Sequence, residues 1–595
     1  MIQRAYSFFL YLIIALCITR IPISIIYSAD FQADYDVRYS VSPEGTTIVT
    51  QNVTLTNRQA NMYPKQYSVT IDSDAIKNAI AYDSKGVITP KITKHDGKTD
   101  ISVTFNDQVV GIDKKLPFTI RYENGEIAQK LGSIWEIHIP GISPDVTLGE
   151  YSVSLQTPST FPSNAYMTPL PDNTMRWTKN QLINGGINAG YGEYQTYIVN
   201  ITYNLENETD SPSYEEVSVP PDTDYQSIEI KSILPKPNEM TKDSDGNWIA
   251  TFDLASKEKR TVSVELYVKT YIKPPKTAET IIDATTYTAA QKYWEVNDPK
   301  ITKLSAMYTT PKAIYDYVVK SLSYYYGDVA TPVRKGALGA LSDPSGSLCT
   351  EFTDLFIAIA RSAGIPAREM VGYAYTNDSR LRPLLVGSDI LHAWPEYWSR
   401  DEKRWIPVDP TWGNTTGGVD YFHSFDFNHI AFVIHGSSSE KPYPAGSFKE
   451  GSVPQKYVSV RFADVLNTVS KNTYQTSFLI PSVVTSGSTL RGSVTVENTS
   501  GTKANMITAA VDAVPFAFHT VKTEKDIPPL GSISVPISLS IPYVLKKTTG
   551  VIMTSVNGEQ SQFTFTILPP YWIVGISLVV LGSILLFLWV IFRKK

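Results

Sequence analysis

Cysteine is nearly absent from this chain: its 595 residues contain two, at positions 17 and 349. Charged residues are also scarce, at 19% of the sequence, and the formal net charge of -5 leaves no basic excess of the kind that binds nucleic acid. The sequence contains neither a glycine-rich phosphate loop nor a dinucleotide-binding motif. These absences argue against a disulfide scaffold, a nucleic-acid-binding protein and a nucleotide-dependent enzyme.

The N-terminus carries a short apolar run that begins directly after Arg4 and ends before Asp30. One early cation followed by an apolar stretch is typical of a secretory signal peptide, so we predict that residues 1–29 are a cleaved signal. A retained N-terminal anchor is the alternative. Cleavage would remove Cys17 and leave Cys349 as the single thiol, which excludes an intramolecular disulfide in the mature chain.

A second apolar run, residues 571–592, contains no charged residue. As a helix it would span about 33 Å, enough to cross the hydrocarbon core of a bilayer. Tyr571 and Trp572 stand where interfacial aromatic residues are common, and three cations, 593–595, follow the run. We therefore predict a single-pass cell-membrane protein with its body outside the cytoplasm and a short cytoplasmic tail.

Much of the remaining chain has the alternating pattern of β-strands. Runs such as Val37–Val41 and Thr47–Leu55, separated by turn-forming residues, predict an antiparallel β-sandwich in the N-terminal region. The acidic, Ser- and Pro-rich stretch 206–224 predicts a loop or linker, after which strands resume. A further strand-rich region, from about 457 to 567, predicts a membrane-proximal β-sandwich.

In the middle of the chain the apolar spacing becomes helical. Residues 311–322 predict one amphipathic helix, and Phe352, Phe356 and Ile359 place an apolar stripe on a second helix that begins at Cys349. A thiol at a helix N-terminus is exposed to the positive end of the helix dipole and to free backbone N–H groups. Both stabilise a thiolate, and the same N–H groups can stabilise an oxyanion.

A thiol nucleophile needs a base, and the base needs an orienting group. His392 lies on a predicted strand, and a second predicted strand ends at Asp409. If the hairpin is centred between residues 400 and 401, His392 and Asp409 are opposite one another, with Cβ atoms roughly 4.5–5.5 Å apart. Pairing Trp398 with Trp405 would instead shift the centre by one residue.

Cys349, His392 and Asp409 are therefore the predicted catalytic residues. Each also has an ordinary structural interpretation: a buried, inert cysteine, a structural histidine, and an aspartate that caps the turn before Pro410. The combination favours a thiol active site, because the one mature cysteine begins a helix while the histidine and aspartate fall on paired strands.

Three further histidines, His423, His429 and His435, recur every six residues. On a strand this even spacing would put them on one face, which raises the possibility of a metal site. The flanking residues are apolar and typical of a core, so we favour ordinary hydrogen-bonded histidines. We predict neither a metal site nor a cofactor.

Several short motifs within residues 298–435 resemble the transglutaminase-like superfamily, a papain-like group of Cys-His-Asp enzymes. The motifs are Arg334–Ala337, Gly346–Glu351, Ala360–Arg368, Gly372–Tyr373, His392–Trp394 and Trp405–Trp412. The resemblance implies that Cys349 is the nucleophile, His392 the general base and acid, and Asp409 the orienting carboxylate. One departure is Pro395-Glu396, where relatives often carry an apolar residue before the acid; a proline there removes one strand N–H.

The predicted fold class is a multidomain chain with an α+β papain- or transglutaminase-like core, flanking antiparallel β-sandwich domains and one C-terminal transmembrane helix. The predicted segments are the signal peptide 1–29, the N-terminal β-sandwich region 30–205, a linker plus further β-region 206–275, the core 276–450, the membrane-proximal β-sandwich 455–568, the transmembrane helix 571–592 and the cytoplasmic tail 593–595.

The expected function is that of a membrane-anchored, extracytoplasmic enzyme that transfers or hydrolyses amide-linked acyl groups. Its expected partners are a protein or peptide substrate and the membrane, with no nucleic acid; the oligomeric state is left open. Hydrolysis is favoured over transamidation because water is the default acceptor unless a site excludes it. The alternative is a non-catalytic surface-binding or adhesion protein that retains a transglutaminase-like scaffold.

Overall fold

The computed structural model describes residues 30–143, 147–183, 185–275, 282–327, 333–376, 383, 391–416, 419–448, 457–463 and 472–593, with the side chains of 572–574 excepted. The predicted signal peptide, with Cys17, lies outside the described residues, as do residues 594–595 of the predicted tail. The chain divides into two compact units: residues up to 129, 137–161 and 170–187 form one, and 130–136, 162–169 and 188 onwards form the other.

The first part of the chain is rich in strands. These are β1 (Phe31–Val41), β2 (Thr47–Asn57), β3 (Gln66–Ile71), β4 (Ile76–Asp83), β5 (Gly86–Ile88), β6 (Lys91–His95), β7 (Lys98–Thr104), β8 (Lys115–Asn124), β9 (Ala128–Leu131), β10 (Ile134–Ile139), β11 (Leu148–Gln156), β12 (Asn164–Thr168), β13 (Arg176–Thr178) and β14 (Ile187–Tyr191), with a short helix α1 (Lys179–Leu182) after β13.

The first unit contains two sheets, ordered β13-β11-β1-β2-β8-β4-β5 and β3-β7-β6. Their ladders are antiparallel except for β1 with β11, which is parallel. The sheets pack face to face, since the rings of Tyr67 on β3 and Phe118 on β8 lie 5.0 Å apart. The predicted N-terminal β-sandwich is confirmed, with this one parallel pair as a difference.

The second unit continues with β15 (Tyr194–Glu206), β16 (Ser213–Val219), β17 (Gln226–Leu234), β18 (Glu239–Lys242), β19 (Trp248–Leu254), β20 (Lys259–Tyr271), α2 (Pro299–Met307), α3 (Pro311–Ser321), α4 (Gly336–Ser342), α5 (Cys349–Ser362), β21 (Ala367–Ala374), β22 (His392–Ser399), β23 (Arg404–Pro407), α6 (Pro410–Thr415), β24 (His429–His435) and β25 (Val458–Phe462). Short 3-10 turns occur at Thr286–Thr288 and Pro344–Gly346.

Two sheets, β17-β20-β15-β25 and β16-β19-β18, surround one hydrophobic cluster. The prediction of a loop over 206–224 is wrong for Ser213–Val219, which pairs antiparallel with β19. Val217 and Val219 are buried in this cluster, and that burial outweighs the polar composition of the segment. Strand β15, which the sequence assigned mainly to the N-terminal region, pairs here with β20 and β25.

The α+β core consists of helices α2–α6 and a sheet ordered β23-β22-β21-β24. Asp298 and Thr310 cap α2 and α3 through their side chains, each before a proline in the first turn. Helix α5 lies at the centre, with Phe352, Phe356 and most of its other side chains buried. Gly364 follows its end with φ +74, a conformation that favours glycine.

The C-terminal part contains β26 (Tyr474–Leu479), β27 (Val483–Thr485), β28 (Thr489–Asn498), β29 (Ala504–Val514), β30 (Phe518–Ile527), β31 (Ser532–Ser540), β32 (Thr548–Val556), β33 (Glu559–Leu568) and the helix α7 (Tyr571–Phe592). Two sheets, β26-β28-β31 and β27-β33-β32-β29-β30, enclose their own core. Residues 575–592 of α7 are long and apolar enough to cross a membrane and are not buried by the protein. The side chain of Trp572 lies outside the described residues.

Candidate active site

Cys349 is the first residue of α5, as the sequence predicts. The start of the helix is fixed by the buried carboxylate of Glu351, which accepts hydrogen bonds from the backbone N–H groups of Leu348 and Lys335, both at 2.9 Å. The thiol is fully buried. The backbone N–H of Ala393, the second residue of β22, is close enough to the sulfur to lower the pKa of the thiol. The thiol therefore lies against the residue that directly follows His392.

His392 and Asp409 are in contact. Nε2 of His392 and Oδ2 of Asp409 are 2.9 Å apart, and both side chains are fully buried. The other imidazole nitrogen, Nδ1, is buried and has no hydrogen-bond partner in the described part of the chain. A proton on Nε2 would be donated to the carboxylate, which leaves the Nδ1 lone pair free to accept another proton.

The hairpin that carries these residues has the shifted register. Trp398 pairs with Trp405 and Glu396 with Pro407. The hairpin is therefore centred between residues 401 and 402, and the predicted centre between 400 and 401 is wrong by one residue. Asp409 is not a strand residue opposite His392; it lies beyond the end of β23. Its side chain reaches the imidazole because the chain turns there into α6.

Asp409 is also the N-cap of α6, so its capping interpretation and its contact with His392 are both correct. Oδ1 accepts hydrogen bonds from the backbone N–H groups of Thr411 at 2.8 Å and Trp412 at 3.0 Å. Oδ2 faces His392. One carboxylate oxygen thus fixes the side chain on the helix while the other is presented to the imidazole.

A second imidazole reaches the same carboxylate. Nε2 of His429, at the start of β24, lies 3.4 Å from Oδ2 of Asp409, and its Nδ1 lies 2.7 Å from Oδ1 of Asp426. We refer to Asp426, His429, Asp409 and His392 as the His–Asp network. In the sequence, His429 stands out only through its six-residue spacing from His423 and His435. The Asp-x-x-His spacing of 426 and 429 is the signal that points to Asp426.

Aromatic rings surround both imidazoles. Trp412 stacks on His392 with ring centroids 5.1 Å apart and an interplanar angle of 24°. Around His429, the ring centroids of Trp412, Trp394 and Phe425 lie at 4.6, 4.9 and 4.4 Å. These rings restrict the imidazole orientations and exclude water, and their faces favour a cation.

The network has a defined charge distribution. Burial lowers the pKa of His392, and the neighbouring Asp409 offsets this only in part. Burial also disfavours a charge on His429, but Asp426 and Asp409 outweigh that effect and raise its pKa to about 9. Burial alone would raise the pKa of Asp409, yet His392 and His429 lower it overall. At neutral pH, His429 is a cation and Asp409 an anion, while His392 is neutral.

The expectation of a stabilised thiolate is wrong for this structure. Burial raises the pKa of the Cys349 thiol, and the nearby carboxylates Glu351, Asp409 and Glu369 raise it further. The N–H of Ala393 acts in the opposite direction and is outweighed. The thiol is therefore protonated, because desolvation and three negative charges exceed the effect of the helix terminus.

The three evenly spaced histidines do not come together as one site. Nδ1 of His423 lies 2.7 Å from Asp420 at an exposed position, while His435 is buried with Nδ1 2.7 Å from Glu369. Glu369 also pairs with Arg334 at 2.9 Å. His435 therefore belongs to an ion-pair network with Glu369 and Arg334 and not to the site at Asp409.

His392, Asp409 and His429 are residue types that can bind a metal. One possible ligand atom of each lies within 4.8 Å of the other two. Two imidazoles and a carboxylate suit Zn²⁺. A metal would have to displace the proton of His429, whose pKa is raised to about 9. The 2.9 and 3.4 Å separations between these atoms are those of hydrogen bonds.

Comparison with known proteins gives matches to the core. Residues 295–410 match the Transglutaminase-like superfamily. A Protein-glutamine gamma-glutamyltransferase of Pseudomonas aeruginosa is 38% identical over 88 residues, which cover 14% of this chain and 13% of the relative. An uncharacterised protein of Mycobacterium bovis is 27% identical over 130 residues, covering 20% of this chain and 41% of the relative. The chain thus spans less than half the length of these relatives.

Two solved structures are similar to parts of this chain. A candidate cysteine protease from Cytophaga hutchinsonii is 18% identical and covers 46% of this chain and 98% of its own, with a TM-score of 0.27. The periplasmic domain of TgpA from Pseudomonas aeruginosa is 15% identical and covers 38% of this chain and 91% of its own, with a TM-score of 0.21. The transglutaminase-like core of this chain is identified by the family match alone, over residues 295–410.

Proposed function

We propose that this protein is a thiol-dependent enzyme that cleaves amide bonds in proteins or peptides through an acyl-thioester, and that α7 anchors it in the membrane with the core outside the cytoplasm. One observation carries the proposal. The backbone N–H of Ala393 is close enough to the sulfur of Cys349 to lower its pKa, while the adjacent His392 is hydrogen-bonded to Asp409 through Nε2 and keeps Nδ1 unpartnered. A nucleophile, a base and an orienting carboxylate thus follow one another within one buried site.

In the first step, Nδ1 of His392 accepts the thiol proton as the sulfur of Cys349 attacks the substrate carbonyl carbon. The C–S bond forms and the carbonyl oxygen becomes an oxyanion, which backbone N–H groups at the start of α5 are suited to stabilise. Because the pKa of the thiol is raised, the proton leaves during the attack and not beforehand. His392 then protonates the leaving nitrogen, the C–N bond breaks, and a thioester remains.

In the second step, water or a primary amine loses a proton to His392 and attacks the thioester. The C–S bond breaks and the sulfur recovers the proton from His392. Water gives hydrolysis and an amine gives transamidation; we favour hydrolysis, since water is the abundant acceptor. The Pseudomonas relative is named for transfer from glutamine side chains, which makes glutamine-containing peptides the first substrates to test.

Asp409 stabilises the imidazolium that His392 becomes in each step, and His429 holds Asp409 in its ionised form. The cation of His429 is itself compensated by Asp426 at 2.7 Å. His429 and Asp426 are positioning residues in this proposal, because His429 contacts Asp409, Asp426 contacts His429, and neither is assigned a contact with the reacting atoms.

The test uses the full chain in nanodiscs with a glutamine-containing peptide library, with and without a primary amine. Without the amine we expect hydrolysed peptides. Peptides that carry the amine should form only when the amine is present. Cys349→Ala should abolish both products, while Ser305→Ala, a change of a buried hydroxyl in α2, should retain them. Unchanged turnover by Cys349→Ala would overturn the proposal. Peptide binding without turnover by either protein would favour the adhesion alternative.

A further inference from the structure

A short exposed loop adjoins the start of the apolar helix. Strand β33 ends at Leu568, and two prolines separate it from Tyr571, the first residue of α7. Three peptide steps span at most about 11 Å. If α7 crosses a membrane, the end of the domain that contains Leu568 must therefore lie at the bilayer surface.

The loop between β31 and β32, residues 542–547, lies at this same end. Thr548, the first residue of β32, pairs with Ile567, next to the last residue of β33. The turn 486–488 adds two contacts: the N–H of Ser486 donates to the carbonyl of Leu568 at 2.9 Å, and the N–H of Gly487 donates to Ile541 at 3.0 Å. The loop is thus held beside the residues that lead into α7.

The side chains of this loop have the composition of a membrane-contacting element. Leu545 is 85% exposed and Tyr543 is 67% exposed. Lys546 and Lys547 are also exposed, and neither has an ion-pair partner among the residues that the structure describes. An exposed leucine loses the favourable burial of its apolar surface, and no other part of the described chain covers this one.

The other end of the same hairpin differs. The turn between β32 and β33, Asn557-Gly558, and the first two residues of β33, Glu559-Gln560, are all exposed. They lie roughly 27 Å from Thr548 along β32, at about 3.4 Å per residue. Apolar and cationic side chains therefore occur together at the end of this hairpin that is attached to the helix, and the four residues at its other end include no cation.

We infer that the loop 542–547 binds the lipid surface: Leu545 inserts into the interfacial region, Tyr543 lies at the level of the headgroups, and Lys546 and Lys547 bind anionic lipid phosphates. Tyrosine is enriched at membrane interfaces, and lysines close to an anionic lipid surface are attracted to it. This inference rests on the proposed membrane anchoring by α7. It gives the membrane-proximal domain a second attachment, which limits its tilt relative to the bilayer.

The test measures the depth of single labels in the full chain, reconstituted in nanodiscs after both native cysteines are replaced by alanine. A bimane label is placed at Leu545→Cys, at Gln560→Cys as the matched control, and at Leu585→Cys within α7. Lipids that carry a nitroxide quencher at the headgroup or in the acyl chain report proximity. We expect Leu545→Cys to be quenched at least threefold more by headgroup nitroxide than Gln560→Cys.

The three labels separate the two proposals. Quenching of Leu585→Cys by acyl-chain nitroxide together with equal, weak quenching at the other two positions would overturn the loop inference and leave the anchor intact. Absence of quenching at Leu585→Cys would overturn the anchor, and the loop inference with it.

The lysines are tested with phosphatidylcholine nanodiscs that contain or lack phosphatidylglycerol. Anionic lipid should increase quenching at Leu545→Cys, and the double change Lys546→Gln and Lys547→Gln should remove that increase. The same quenching in both lipids, unaltered by the double change, would overturn the assignment of headgroup binding.

Discussion

Asp409 and His429 share a buried hydrogen bond, with Oδ2 and Nε2 3.4 Å apart, although they lie on different elements, at the cap of α6 and the start of β24. The same oxygen also faces His392. The carboxylate next to the proposed base is therefore held between a neutral imidazole and a charged one. Four predictions follow from this site and its support.

The charge on His429 makes stability depend on pH. Its pKa in the folded chain is about 9, above an unfolded value of about 6.5. The stabilisation is fully present below pH 6.5, is lost as pH rises through 9, and is on the order of 3 kcal/mol at its maximum. The melting temperature of the wild-type core, measured by scanning fluorimetry, should therefore fall towards that of His429→Gln between pH 6.5 and 9.5.

The matched control for this experiment is His423→Gln, which removes an exposed histidine that also pairs with an aspartate. A plot of its melting temperature against pH should run parallel to that of the wild type over the whole pH range. A parallel curve for His429→Gln would show that His429 carries no such charge.

Asp409→Asn should separate the two functions of this residue. Asparagine caps helices about as well as aspartate, so Oδ1 can still accept from Thr411 and Trp412. The amide cannot compensate an imidazolium at His392, and turnover should fall roughly 10²- to 10⁴-fold. Thermal unfolding followed by circular dichroism should show Asp409→Asn destabilised at neutral pH, because the buried His429 cation loses one of its two carboxylate partners. Asp409→Ala should lose about 1 kcal/mol more, because it also loses the cap. Near-wild-type turnover of Asp409→Asn would contradict the assigned role.

The raised pKa of Cys349 predicts slow alkylation. The thiol is fully buried and protonated at neutral pH, so its reaction with iodoacetamide should accelerate steadily above pH 8.5 without a plateau. The exposed cysteine of Gln560→Cys in a Cys349→Ala background is the comparison, and its alkylation rate should level off just above a pKa near 8.5. A plateau for Cys349 below pH 8 would mean that the resting enzyme contains a thiolate.

Gly372 pairs with His392 across β21 and β22. A Cβ atom at this position would collide with the backbone carbonyl of Ile430, the residue after His429. Gly372→Ala should therefore push β24 away from β21, cost about 1–3 kcal/mol of stability and reduce turnover. Gly125→Ala, where the added Cβ meets nothing within 4 Å, is the control. Equal melting temperatures and equal turnover for the two variants would contradict this packing argument.

Local features of the fold were predictable from the sequence. The spacing of Phe352, Phe356 and Ile359 gives the helix that begins at Cys349, and the uncharged run 571–592 gives the apolar helix. The sequence missed the strand Ser213–Val219 because its composition is polar, and the sheet that β16 joins supplies the burial that composition cannot reveal. Composition reports an average over a segment, while a strand needs only one buried face.

The residue types of the site can be read from the amino-acid order: one thiol outside the predicted signal, at a helix start, followed by a histidine and an aspartate at hairpin spacing. How these side chains meet depends on long-range packing. Sheet register fixed that Trp398 pairs with Trp405, so Asp409 reaches His392 from a helix cap and not across strands. The pairing of β21 with β24 brought His429 to the same carboxylate. Burial, which depends on every packed neighbour, keeps the thiol protonated. The carboxylates of Asp426 and Asp409, which the fold brings to His429, keep that imidazole charged in spite of its burial.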